Sequence, residues 1–258
     1  MKLETFSLDV DADGIAVATF DVPGRSMNTL TARAIQDLEA IADEVGSNAT
    51  IKGLVITSGK TSGFCAGADL GELGGGSVDG DKSGDPEAQL KAAFDRAFQM
   101  NKILRNLETC KKPVACAING LALGGGFEVA LGCHYRIAAN DNPKFQLGLP
   151  EAKVGLMPGG GGTQRLPRLI GAQAAAPYLL QGENMTAQQA KDLGVVHELA
   201  PTAQLVGRAK EWVKANPNAK APWDDAKFKI PGGKPDSQQG SMVFTFGAAM
   251  LAKQTWGN

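Results

Sequence analysis

The stretch Asn119-Gly-Leu-Ala-Leu-Gly-Gly-Gly-Phe-Glu128 decides how this chain is read. Before it, Pro113-Val-Ala-Cys-Ala-Ile118 reads as a buried strand; after it, Phe127-Glu-Val-Ala-Leu131 has the composition of a short buried helix. Gly124, Gly125 and Gly126 therefore sit at a strand-to-helix turn. Lacking a Cβ, such residues admit a ligand to bare backbone. N–H groups at a helix start have no partner within the helix, and their partial positive charge favours an oxygen that carries or acquires negative charge. Glu128 follows within one helical turn. A glycine triplet also suits tight packing at a crossover, and the spacing is not the Gly-x-Gly-x-x-Gly of a dinucleotide site. The neighbouring motifs have to decide.

Upstream, Gly63-Phe-Cys-Ala-Gly-Ala-Asp-Leu70 again places small residues directly after a strand, Gly53–Ser58. Cys65 lies there without a histidine or basic partner nearby in sequence, which speaks against a nucleophile. Downstream, Glu151 follows Pro150 in an extended or turn conformation, and Gly159 to Gly162 precede a helix at Thr163–Ile170. Carboxylates among apolar and glycine residues have few solvating partners, which raises their pKa. A solvent-facing Glu151 is the alternative.

The rest of the chain supplies an α/β frame. Residues 3–10 and 14–21 alternate apolar and polar, as a β-hairpin does. Ile35, Leu38, Ile41 and Val45 recur at helical spacing, and a long helix with one mostly apolar face is expected over Leu90–Cys110. Between them, residues 71–89 are rich in Gly, Asp and Ser and read as a mobile lid. Helices are expected at Gln173–Leu180, at Thr186–Leu193 with Thr186 as N-cap, and at Thr202–Ala215, with a strand at Val195–Leu199. Residues 216–240 read as a Pro- and Gly-punctuated linker and 241–253 as an apolar helix.

With 258 residues the chain suits one large domain or a domain with an appendage. Net charge is −1, so no global field recruits nucleic acid or an anionic membrane. Apolar runs are broken well before the roughly 20 residues of a spanning helix, and Met1-Lys-Leu-Glu lacks a secretory signal, so a cytoplasmic protein is expected. The four cysteines lack metal-type spacing, and the two histidines, His134 and His197, support neither a triad nor a metal site.

Taken in order, Ala66-Gly-Ala-Asp-Leu70, the stretch to Glu128, Pro150-Glu151 and Pro158-Gly-Gly-Gly-Gly-Thr-Gln-Arg165 resemble the crotonase (enoyl-CoA hydratase/isomerase) family, from the first strand to about Pro201. The run Leu147–Leu169 and the tail from Pro222 to Asn258 are most similar to the hydratase part of bacterial multifunctional fatty-acid oxidation proteins. In those a hydroxyacyl-CoA dehydrogenase region follows; whether this chain is a part of such a protein or free-standing stays open. The resemblance implies a crotonase-like spiral of ββα units over 1–201, with a C-terminal helical segment over 202–258 for assembly or active-site cover. It implies a homo-oligomer, trimer or hexamer, and a dehydrogenase region or partner.

On matching positions, the resemblance makes the backbone N–H groups of Ala66 and Gly125 the oxyanion hole and Glu128 and Glu151 the catalytic carboxylates. Gly159 would shape the water site. Coenzyme A, as part of the substrate, would run past Ala66, Ala68, Asp69 and Leu70 with Met27 nearby, and Arg25 is a candidate for its phosphates. Two carboxylates favour addition of water to a 2-enoyl-CoA thioester, with Δ3-Δ2-enoyl-CoA isomerisation, or a non-catalytic module of a larger complex, as alternatives. No metal or nicotinamide is needed for either reaction.

Overall fold

Strands β1 (Phe6–Val10), β2 (Ile15–Phe20), β3 (Gly53–Ser58), β5 (Val114–Ile118), β7 (Tyr135–Ala139) and β10 (Glu198–Ala200) form one sheet in that order. A second, smaller sheet holds β4 (Gly63–Cys65), β6 (Leu121–Leu123), β8 (Leu147–Gly148) and β9 (Asn184–Met185). This computed structural model describes residues 2–69, 71–72, 85–243, 245 and 247. Only β1–β2 and β8–β9 are antiparallel; the other pairings are parallel. The chain therefore alternates: a strand in the large sheet, a strand in the small one, then a helix. β3 and β4 lead to α2 (Pro86–Thr109), and β5 and β6 to α3 (Gly125–Leu131). β7 and β8 lead, through a 3-10 turn at Pro150–Val154, to α4 (Gly162–Ile170) and α5 (Ala172–Leu180). This is the spiral of ββα units.

The central strands are apolar throughout because both faces are covered. All five residues of β5 and of β7 are buried. α1 (Ala32–Ser47) starts where the Thr31 side chain accepts the Ala34 N–H at 3.1 Å, and it buries Leu38, Ile41 and Val45. α6 (Ala187–Asp192) carries a capping box between Thr186 and Gln189. α7 (Leu205–Ala215), beyond residue 201, lies against β3, β5 and β7 and buries Leu205, Ala209 and Val213. A Cβ on Gly53 would come within 2.3 Å of Val213 Cγ1, so the glycine lets that helix close on the sheet.

Three sequence expectations change. The presumed single turn between Ile118 and Phe127 contains β6, three residues whose partners, β4 and β8, are remote in sequence. α2 starts earlier than expected, because Asp85 caps it on the Glu87 N–H and Pro86 occupies its first turn. Residues 86–89 thus leave the expected lid, and 73–84 lie outside the described residues. The apolar face of α2 also splits: Ile103, Leu104 and Leu107 are buried, whereas Leu90 and Phe94 are 73% and 62% exposed. The helix expected over 241–253 lies largely outside the described residues. Among the described residues, no helix is long and apolar enough to cross a membrane.

Candidate active site

The three parallel strands of the small sheet end side by side, and each is followed by one component of the site. Beyond β4 comes Ala66–Asp69, beyond β6 the glycine triplet, beyond β8 Leu149–Glu151. Gly124, at φ +52°, turns the chain into α3, and its N–H donates to Gly148 O at 2.9 Å. Each glycine of the triplet gives way to a different neighbour. A Cβ on Gly124 would lie 2.9 Å from Glu151 Oε1, and one on Gly125 would run into Leu30 Cδ1 at 2.7 Å, with the Ala68 nitrogen at 3.9 Å and Glu128 Oε2 at 4.0 Å. On Gly126 it would run into Cys65 O at 2.6 Å.

The two carboxylates face the same space from different elements. Glu128, on α3, is 2% exposed; its Oε2 accepts the Gly160 N–H at 2.8 Å and its Oε1 the Gly162 N–H at 2.7 Å. Burial raises its pKa, while these two donors and the Arg165 charge oppose the rise. Glu151, half-buried, has a buried Oε2 to which no described protein group donates. Burial, with the Glu128 charge beside it, pushes Glu151 up to about 7. Near neutral pH it is poised between acid and base.

Two neighbouring N–H groups lack a main-chain acceptor among the described residues. One belongs to Gly125, the first residue of α3; the other is that of Ala68, not Ala66. The Ala66 N–H is consumed by Asn28 O at 2.9 Å. Leu30 then bridges across Ala68: the Leu30 N–H donates to Gly67 O at 2.8 Å and the Asp69 N–H to Leu30 O at 3.2 Å, which leaves Ala68 facing away from Leu30. Ala66, expected to supply an oxyanion donor, therefore has no free N–H to offer, whereas Ala68 does. Gly159 is likewise displaced from the carboxylate: it is exposed, its carbonyl accepts from Asn101 Nδ2 at 2.6 Å, and a Cβ there would meet nothing within 4 Å. Gly160 and Gly162 hold Glu128 instead.

The expected rim residues gather at one edge. Arg25 reaches Asp69 and donates to Thr29 Oγ1 at 2.7 Å; its guanidinium holds Asp69 below the usual carboxylate range. Met27 is half-buried beside Ser62, and Leu70 lies outside the described residues. Burial pushes the Cys65 thiol up to about 12, which leaves it inert. Both histidines are held by backbone: His134 Nδ1 accepts the Val114 N–H at 2.9 Å, and His197 Nδ1 the Arg136 N–H at 3.1 Å.

Asn28 escaped the sequence reading altogether. Fully buried, it accepts the Val22 N–H at 2.9 Å and donates to Phe20 O and Phe64 O at 2.8 and 3.1 Å, tying the Arg25–Met27 loop to the strand that precedes Ala66. Its only sequence signal was an asparagine amid a Pro- and Gly-bearing loop.

Residues 11–223 match the family described as Enoyl-CoA hydratase/isomerase. The chain belongs to that family. It is 39% identical over 256 residues to the fatty acid oxidation complex subunit alpha of Shewanella amazonensis, covering 99% of this chain and 34% of that one. The corresponding subunit of Shewanella putrefaciens is 41% identical over 219 residues. The chain thus spans about one third of the length of these curated relatives. Among solved structures, the enoyl-CoA hydratase of Bacillus anthracis superposes with a TM-score of 0.68 at 33% identity, over 82% of this chain and 76% of that one.

Proposed function

We propose that this chain hydrates trans-2-enoyl-CoA thioesters to 3-hydroxyacyl-CoA, the hydration step of fatty-acid β-oxidation. The carrying observation is the convergence of two buried-side carboxylates, Glu128 and Glu151, with the free N–H groups of Ala68 and Gly125. As water adds at C3, negative charge moves to the thioester oxygen. Two preorganised donors there stabilise the enolate, each by roughly 3 kcal/mol by comparison with other oxyanion sites. Glu128, whose carboxylate form is held by two backbone N–H bonds, takes a proton from the attacking water. Glu151, protonated near neutrality, gives a proton to C2. The step balances as one water O–H bond and the C2=C3 π bond broken and one C–O and one C–H bond formed, and the proton left on Glu128 returns to Glu151 before the next turnover.

The rim at Arg25, Met27, Ala68 and Asp69 is the proposed path of the coenzyme A part. Because Asp69 already partners Arg25, phosphate binding there draws on a shared guanidinium. The likeness to the fatty acid oxidation subunits supports work alongside a dehydrogenase that consumes the 3-hydroxyacyl product.

The test uses purified protein with crotonyl-CoA and a longer 2-enoyl-CoA, following the conjugated enoyl-thioester absorbance and the product mass. Loss of absorbance with a product one water heavier supports hydration. Absence of turnover on both, with conversion of a 3-enoyl-CoA into the conjugated 2-enoyl isomer, would replace it with isomerisation.

A further inference from the structure

We propose that the buried pair Glu108–Arg165 positions Glu128 for catalysis by fixing Gly160, whose carbonyl accepts from Arg165 while its N–H holds the carboxylate. Arg165 is 7% exposed and Glu108 5%. Arg165 Nε donates to Glu108 Oε1 at 2.7 Å and Nη2 to Oε2 at 3.0 Å, a two-pronged pairing with one guanidinium edge left over. That edge, Nη1, donates to Gly160 O at 2.8 Å, and the Gly160 N–H donates to Glu128 Oε2 at 2.8 Å. One residue, Gly160, therefore carries the connection from an ion pair to a reacting group, through the two peptide planes that meet at its Cα.

The glycine loop is built for this sandwich. A Cβ on Gly160 would meet Glu128 Oε2 at 2.8 Å, and one on Gly161, at φ +97°, would meet Arg165 Nη1 at 2.4 Å. The opposite anchor is a single face of α2, where Asn101, Arg105 and Glu108 recur at helical spacing. Asn101 donates to Gly159 O, and Arg105 donates to Glu108 Oε2 at 3.1 Å and to Asp224 Oδ2 at 2.9 Å. A helix, an arginine and a four-glycine loop thus hold one carboxylate.

Arg165 from α4 is the charge that lowers Glu128, and Glu128 in turn raises Glu151 on the 3-10 turn. Met100 and Leu149, which line Gly160 and Gly162, are apolar. Removing the guanidinium takes away one of the groups that oppose the effect of burial and moves Glu128 further up.

The inference rests on the hydration reading for its kinetic arm alone. The double variant Glu108→Leu/Arg165→Met removes both charges together, a change buried pairs often tolerate without loss of stability. It is expected to keep its thermal midpoint and its KM for the enoyl-CoA within about twofold, while kcat falls about tenfold or more, because small displacements of a catalytic group are costly. In carbon-13 NMR, the Glu128 carboxyl, assigned by its loss in Glu128→Gln, should titrate about half a pH unit higher or more. That titration needs no turnover, so a wild-type protein without hydratase activity would refute the reaction and leave the positioning testable. A folded double variant with wild-type kcat and wild-type Glu128 titration would overturn the proposal. If the double variant does not fold, Arg165→Lys decides by the same readouts: it keeps the charge and loses the fork, so an unchanged kcat refutes positioning.

Discussion

Replacing Glu151 by Gln should stabilise the protein while disabling it. The native carboxyl titrates at about 7 against a reference of 4.5. Between those values the native state holds a proton that the unfolded chain has released, so stability falls as pH rises through that window and the full penalty is present above it. The difference corresponds to about 3 kcal/mol, which reduces to roughly 2 kcal/mol once the solvent reaching this half-buried side chain is allowed for. Gln keeps the shape and carries no charge. Urea unfolding at about pH 8 should therefore show Glu151→Gln more stable than wild type by roughly 2 kcal/mol, and the gain should vanish near pH 4.5. Equal stability at both pH values would mean that Glu151 ionises at no cost, and the argument from its unpartnered Oε2 would fail.

Other perturbations probe separate parts. Gly125→Pro removes one oxyanion donor at the first residue of α3, a position where proline suits a helix, and should lower kcat by on the order of a hundredfold or more with circular dichroism unchanged. Asn28→Ala orphans the buried Val22 N–H and takes a donor from the Phe20 and Phe64 carbonyls, and should destabilise by about 3 kcal/mol, read from chemical denaturation. Iodoacetamide at about pH 8 should leave Cys65 unmodified in peptide maps of the native protein, since a thiol titrating at about 12 supplies almost no thiolate; rapid alkylation there would contradict its burial.

What the sequence disclosed was whatever rests on local pattern. β5 and β7 are runs of small and branched apolar residues, α1 carries its helical spacing and its Thr31 cap, and the glycine triplet sits in front of Glu128 as expected. What it concealed depends on contacts across the spiral. β6 is three residues long and exists only between β4 and β8. The Ala66 N–H was indistinguishable from that of Ala68 until Asn28, 38 positions earlier than Ala66 in the chain, was seen to accept it. Glu108 looked like an ordinary polar residue at the end of a helix, yet it is buried against Arg165, 57 residues away. Short motifs thus pointed to most of the groups proposed to meet the substrate, whereas the groups that hold those in place are fixed by topology.

The central claim is that Glu128 and Glu151 act together on one alkene. The most direct measurement is kcat for crotonyl-CoA in Glu128→Gln and Glu151→Gln, beside the affinity of each for a non-reactive acyl-CoA. Both variants should lose at least about a hundredfold in kcat, within the range of general acid–base catalysis, and retain acyl-CoA affinity. Near-full turnover in either one would remove that carboxylate from the mechanism and contradict the account.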